Sequence, residues 1–295
     1  MKKIKAIIFP DIHGRTFWKE PLKTFTKEKY PDIDIIFLGD YLDPYVSYDG
    51  ITKEDAYNNF LEIIDYIKND NRVIPLIGNH DWHYFVNLDY CRIDRARERK
   101  IEKIFIDNIK LFKLSHEIKI NDITYLLSHA GITYGWLDQI KTMAKYSYRV
   151  KNPMYDHEIE WNDFLYKIEN LNIDTYNDFS ILDKCLYNYN DFTYTKFISI
   201  VGPERGGLGR DSGSIIWADI HEHLNYFNKP LSKYYQIFGH TITYPDGPKS
   251  YYISGKNNYE NDYKNFNIAM IDASQAFVLT EDNEILTYNE YININ

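Results

Sequence analysis

Five short apolar runs in this 295-residue chain each break directly into a polar segment that carries glycine with Asp, Asn or His. Ile4 to Phe9 leads into Pro10-Asp11-Ile12-His13-Gly14, and Ile33 to Leu38 into Gly39-Asp40-Tyr41-Leu42-Asp43. Val73 to Ile77 leads into Gly78-Asn79-His80-Asp81, Ile123 to Leu127 into Ser128-His129-Ala130-Gly131, and Tyr234 to Phe238 into Gly239-His240-Thr241. Runs of about five β-branched or aromatic residues bounded by glycine read as buried strands. Between the second and third runs, Thr52 to Asn69 places Tyr57, Phe60, Leu61, Ile64 and Ile67 at helical spacing, and Thr52 with Asp55 forms a capping box at its start. Strand, helix, strand is the pattern of a largely parallel sheet, whose polar groups gather beyond the carboxyl ends of the strands. An α/β class follows, and we read residues 1–295 as a single domain with a large core.

The stretch from 141 to 196 differs, being rich in Tyr, Asn and Asp, with helical patches such as Glu158 to Ile168 and no motif of the strand-end kind. It reads either as an insertion capping the site or as a helical layer of the core. The 28 Tyr and 16 Phe are unusual, but a nucleotide bias in the coding sequence explains them as well as a function does. A formal net charge of −9 argues against non-specific nucleic-acid binding, which needs a basic surface. Arg92 to Lys103 is locally basic, with apolar Ile101, Ile104, Phe105 and Ile109 at helical spacing, and reads as an amphipathic helix with a solvated face. Two isolated cysteines, Cys91 and Cys185, exclude a disulfide scaffold or a cysteine zinc site. The apolar run Ala6 to Phe9 is too short for the core of a signal peptide, and no segment is long enough to span a bilayer, so a cytoplasmic, membrane-free protein is expected.

Singly, these motifs mean little, because a lone Asp-x-His is common. Together they place Asp, His, Asp, Asn, His and His after strands of one sheet system. Such a set can hold two divalent ions roughly 3.5–4 Å apart, which clamp a phosphate and lower the pKa of a bridging water. Ions that close need a bridging carboxylate, and nitrogen and oxygen ligands without thiolates suit Mn, Fe, Zn or Co.

The five motifs, in this order, resemble the signature of calcineurin-like metallophosphoesterases, over roughly Ile4 to His240. The tyrosine of the second motif and the His-Ala-Gly of the fourth are most similar to the serine/threonine-phosphatase branch with its bacterial and phage members. The resemblance implies a four-layer α/β/β/α sandwich, here with a helical insertion. It implies that Asp11 and His13 hold a first metal, that Asp40 bridges, and that Asn79, His129 and His240 complete the second. His80 is then the general acid, held by Asp43, and Asp81 has a structural role. Manganese is the expected metal, with iron, zinc, cobalt or nickel as alternatives. Two dications against Asp11, Asp40 and a hydroxide leave a positive centre that attracts phosphate although the protein is acidic.

Trp217-Ala218-Asp219 resembles the Trp-Ser-Asp stretch of the serine/threonine phosphatases, in which a preceding arginine contacts phosphate. Arg205 and Arg210, set among glycines, are the candidates here, with Arg205 preferred. Two positions depart from the pattern. Pro44-Tyr45 stands where that branch has Arg-Gly, so one phosphate-binding arginine is missing, and Arg15 is either its substitute or a surface residue. Ile242 replaces a histidine found in the broader superfamily and leaves the first metal more openly coordinated. His221 and His223 read as surface residues flanking Glu222, and His116 and His157 stand alone. His83 follows the third motif closely enough to line the pocket.

The sequence thus predicts a phosphatase that hydrolyses phosphomonoesters, of protein or small molecules, by direct attack of metal-bound hydroxide. A phosphodiesterase or dinucleoside-polyphosphate hydrolase is the alternative, and a non-catalytic scaffold a third reading. A phosphorylated substrate is the expected partner, and the oligomeric state is left open.

Overall fold

The structure is a computed structural model that describes residues 2–86, 92–172, 175, 177–207, 212–224, 231–241, 251–253 and 267–294. Its strands are β1 (Ile4–Phe9), β2 (Asp34–Phe37), β3 (Val73–Pro75), β4 (Ser115–Ile120), β5 (Ile123–Ser128), β6 (Tyr235–Phe238), β7 (Tyr252–Ile253), β8 (Ile268–Met270), β9 (Phe277–Thr280) and β10 (Ile285–Thr287). They form two five-stranded sheets, in the orders β10-β9-β1-β2-β3 and β4-β5-β6-β8-β7. Each sheet has a parallel run: β1-β2-β3 reaches one edge of the first sheet, with β9 and β10 added antiparallel on the other side, and β5-β6-β8 forms the centre of the second, with antiparallel β4 and β7 at its two edges.

Alternation along the strands decides the layering. Ala6 and Ile8 of β1, with Ile36 and Leu38, share a buried cluster with Leu127, Ile237 and Ala269 of the other sheet. Ile7, Phe9, Ile35 and Phe37 point the other way, into a cluster with Phe60, Ile63, Ile64 and Ile67 of the helix Lys53–Asn69. Successive side chains of a strand face opposite sides, so the first sheet gives one face to the second sheet and one to helices. The result is two mixed sheets face to face with helices outside. The helix Lys53–Asn69 begins at the expected box, Asp55 N donating to Thr52 Oγ1 and Thr52 N to Asp55 Oδ2, each at 3.1 Å.

Within 141–196 the helix Tyr134–Tyr146 crosses the expected boundary and the helix Asp156–Glu169 packs on it. Phe164, Leu165, Ile168, Leu182, Leu186 and Phe197 bury into the same cluster as the helix side of the first sheet.

Two local expectations are corrected. The basic stretch from Arg92 is not one helix, because the helix spans only Glu98–Asp107. Asp94 Oδ1 accepts from Ala96 N and Asp94 Oδ2 pairs with Arg97, which folds 92–97 into a turn. His223 is not a surface residue. His221 is exposed, but the His223 ring stacks on Phe238 and its Nε2 lies 2.8 Å from Ala130 O, burying it together with Glu222. No helix among the described residues is long and apolar enough to cross a membrane.

Candidate metal centre and active site

The first four motifs begin where β1, β2, β3 and β5 end, and the fifth where β6 ends, so neighbouring strands deliver their polar residues to one edge of the two sheets. Backbone hydrogen bonds lace the loops together: His13 N to Asp40 O at 2.6 Å, Gly14 N to Tyr41 O at 3.0 Å, and Gly239 N to His129 O at 2.8 Å. Asp81 fastens two more, accepting from Asp40 N (2.7 Å), Tyr41 N (3.0 Å) and Gly78 N (2.9 Å), which is the structural role expected of it. Glycine is required where backbone meets carboxylate. A Cβ on Gly78 would lie 2.2 Å from Asp40 Oδ1, and one on Gly239 2.1 Å from Asp11 Oδ1.

His13, Asp40, Asp43 and His240 all have positive φ, from 44° to 66°. Among the described non-glycine residues only Asn121 and Asn283 share that conformation, so the unfavourable backbone is concentrated at this edge.

The side chains converge. One set of ligand atoms, from Asp11, Asp40 and His129, lies within 4.8 Å of one another, and so does a second set from His13, Asp40 and His80. Asp40 belongs to both. His13 Nδ1 donates to Leu42 O (2.9 Å) and His129 Nδ1 to Leu38 O (3.0 Å). With Nδ1 so engaged, each ring turns its Nε2 toward Asp40 Oδ2, 3.6 Å away in both cases and too far for a hydrogen bond. Asn79 Oδ1 lies 3.0 Å from His129 Nε2, and His240 Nδ1 lies 3.1 Å from the same nitrogen, while the buried His240 Nε2 has no hydrogen-bond partner among the described residues. Burial holds His13 and His240 well below the usual imidazole range, and burial followed by the repulsion of Asp11 raises Asp40 well above the usual carboxylate range. Buried lone pairs that cannot all be paired with protons are what a divalent cation satisfies, so these residues fit metal ions.

His80, although near enough to His13 and Asp40 to join the second set, has both ring nitrogens engaged by other residues. Its Nδ1 lies 3.0 Å from Asp43 Oδ2, and its Nε2 lies 2.7 Å from Arg92 Nη2. Asp43 is steadied by the Tyr84 hydroxyl, which donates to Oδ1 at 2.6 Å and accepts from Asp94 N at 3.1 Å. Burial raises both Asp43 and Tyr84, so the hydroxyl remains a donor. Burial, then Arg92, lowers His80 well below the usual imidazole range. His83 is buried nearby, its ring centroid 6.0 Å from that of His80 and 5.6 Å from that of Trp217.

Among the arginines, Arg205 reaches the site's rim. Its Nη2 donates to His240 O (3.0 Å) and Thr241 Oγ1 (2.8 Å), and its Nε pairs with Asp219 Oδ2 at 2.8 Å. Buried Glu222 holds the loop that carries it, accepting from Gly213 N at 2.6 Å and Glu204 N at 3.2 Å. Arg15 is buried and gives both Nε and Nη2 to Asp49 Oδ2, at 3.2 and 3.0 Å. Arg210 and Ile242 lie outside the described residues. His116 pairs with Asp34, and His157 stacks on Tyr155; both lie away from the cluster.

Three residues at the site escaped the sequence reading. Arg92 looked like one charge of a helix face. Tyr84 carried no signal among 28 tyrosines. Asp272 follows β8 as Asp11 and Asp40 follow their strands, and the register that pairs Phe238 with Met270 sets it beside His240. It is buried, and burial followed by Asp11 raises its carboxyl well above the ordinary range. The run Ile268 to Ile271 was the available signal, without a glycine to mark it.

No curated protein matches the chain. Among solved structures it is similar to a serine/threonine phosphatase from Saccharomyces cerevisiae with similarity to human phosphatase PP5, at 13% identity and a TM-score of 0.44, over 97% of this chain and 80% of that one. It is also similar to the phosphopantetheinyl hydrolase PptH of Mycobacterium tuberculosis, at 13% identity and a TM-score of 0.28, over 83% and 86%. A metallophosphoesterase from Sphaerobacter thermophilus matches at 15% identity and a TM-score of 0.25, over 44% and 48%. The calcineurin-like phosphoesterase family model matches residues 4–244, a span that holds all five strand-end motifs, and the chain belongs to that family.

Proposed function

We propose that the protein is a two-metal phosphatase that hydrolyses phosphomonoesters, and that it works with manganese. The observation that carries this reading is Asp40, whose carboxylate is gathered with Asp11 and His129 in one set and lies 3.6 Å from His13 Nε2 in another, as a carboxylate shared by two ions would. Asp11, His13 and Asp40 would hold one ion, and Asp40, Asn79, His129 and His240 the other. When bound, the pair would supply positive charge for the phosphate oxygens and lower the pKa of a water between them.

The remaining work falls to this chain's own side chains. His80 is excluded from the ligands because Asp43 and Arg92 engage its two nitrogens. Its role in this reading is general acid: Asp43 fixes the ring through Nδ1, Tyr84 fixes Asp43, and Nε2, once substrate displaces the Arg92 contact it accepts here and it has taken a proton from water, passes that proton to the leaving oxygen. Arg205, oriented by Asp219, is placed to bind phosphate at the rim beside His240. No serine or cysteine stands among these groups as a nucleophile, so water attacks directly.

Turnover of p-nitrophenyl phosphate and of its bis ester with Mn²⁺ tests the reading. The monoester is expected to be the better substrate by kcat/KM. Preference for the bis ester would instead support a phosphodiesterase, and no turnover of either would overturn both.

A further inference from the structure

The site holds a cation that the second motif does not account for. Arg92 comes from the turn before the helix Glu98–Asp107, yet its Nη2 lies 2.7 Å from His80 Nε2 and its Nη1 donates to Asp43 O at 3.0 Å. Its guanidinium carbon lies 3.6 Å from the centroid of the Tyr45 ring, and Tyr45 itself meets His13 edge-on, with centroids 5.1 Å apart. The planar group is thus held between an aromatic face and the His80–Asp43 pair. Tyr45, in the place of an expected arginine–glycine step, is the platform for an arginine supplied from elsewhere in the chain.

Of the other candidates among the described residues, Arg15 is committed elsewhere and Arg205 stands at the rim beside His240. Arg15 directs its fork to Asp49, and Arg205 shares its own among Asp219, His240 and Thr241. Among the described residues no carboxylate lies at ion-pair distance from Arg92. A guanidinium has five N–H donors, and the contacts to His80 and Asp43 use one from each Nη, leaving one on each and the Nε–H. We propose that Arg92 is a phosphate-binding residue of this site, supplying the guanidinium that Pro44 and Tyr45 leave out of the second motif. A phosphoester whose leaving oxygen approaches His80 Nε2 brings its other oxygens against the same fork, in the geometry that favours a bidentate contact.

This assignment rests on the phosphatase reading, and the test separates the two. Wild type, Arg92→Ala, Arg92→Lys and the control Arg95→Ala, an exposed arginine of the same basic stretch, are compared with Mn²⁺ present. KM and kcat are measured with p-nitrophenyl phosphate, and the Kd of inorganic phosphate by calorimetry. Arg92→Ala is expected to raise both KM and the phosphate Kd on the order of tenfold or more. Arg92→Lys should recover only part of that, a point charge lacking the fork, and it keeps the test open if the alanine variant does not fold. Arg95→Ala should change neither constant. A fall in kcat with KM and phosphate Kd unchanged would mean that Arg92 only orients His80, and would overturn the proposal. If wild type binds phosphate in an Arg92-dependent way without turnover, the proposal stands and the phosphatase reading falls. If wild type neither binds phosphate nor turns over, both fall.

Discussion

His13, Asp40, Asp43 and His240 occupy left-handed backbone that costs a side chain about 1–2 kcal/mol each, and the neighbouring loops hold them there. What that conformation achieves is aim: ring nitrogens and carboxylates point inward from the ends of extended strands. The division between ligands and acid at this scale gives two predictions. His80→Asn should leave metal content unchanged, read by elemental analysis, while lowering kcat on the order of 100-fold or more, as expected for a lost general acid. Unchanged turnover would remove His80 from that role. Tyr84→Phe deletes the 2.6 Å hydrogen bond to Asp43, at a cost of roughly 1.5–3 kcal/mol for a bond to a charged group. It should reduce kcat and displace the pH–rate profile while KM for p-nitrophenyl phosphate stays put, whereas an unaltered profile would show that Asp43 needs no such support. At this scale the sequence was informative wherever identity and position coincided, as at Asp11, Asp40 or His129. It was silent on Arg92 and Tyr84, which reach the site through a turn and a helix face that no local pattern specifies.

Elements place these residues, and their legibility varied with whether a recognisable motif followed them. The runs that became β1, β2, β5 and β6 are long enough and apolar enough to be seen, and the Thr52–Asp55 box marked its helix. β7, β8, β9 and β10 are two to four residues each and lie beyond the last recognised motif. They are strands because β9 adds to β1 and β8 to β6, a long-range pairing that a local reading does not register. His223 failed for a related reason, since its burial depends on Phe238 and Ala130, distant in sequence. One element also carries a pH dependence. Asp183, opening the short helix Asp183–Tyr187, accepts from Leu114 N at 2.8 Å, and burial pushes its carboxyl up to about 7. An unfolded aspartate titrates near ~4, so the folded chain binds this proton more tightly, and stability from this group falls as pH rises from ~4 to about 7. Asp183→Asn should therefore raise Tm relative to wild type at pH 8 and not at pH 4, without changing kcat. A variant equally destabilised at both pH values would show that the carboxylate is not the burdened group.

For the molecule as a whole, two sheets from one chain have to meet at one edge before any ligand set exists, because Asp11, Asp40 and Asn79 come from the first sheet's side and His129 and His240 from the second's. Ions held between them would tie the sheets together, and a ligand that binds only the folded form raises stability by about 2.7 kcal/mol at a hundred times its Kd. Mn²⁺ added to chelator-treated protein should therefore raise Tm in wild type and much less in Asp40→Asn. The family and the α/β architecture were legible in the sequence because each motif sits at a strand end. The capacity of Asp40 to serve two ligand sets is a property of the assembled sheets. That capacity is most directly tested by the stoichiometry of Mn²⁺ binding to chelator-stripped protein, measured by calorimetry. Two ions per chain in wild type, with one or none in Asp40→Asn, is the predicted result. A single ion in wild type at saturation, or two retained by Asp40→Asn, would contradict it.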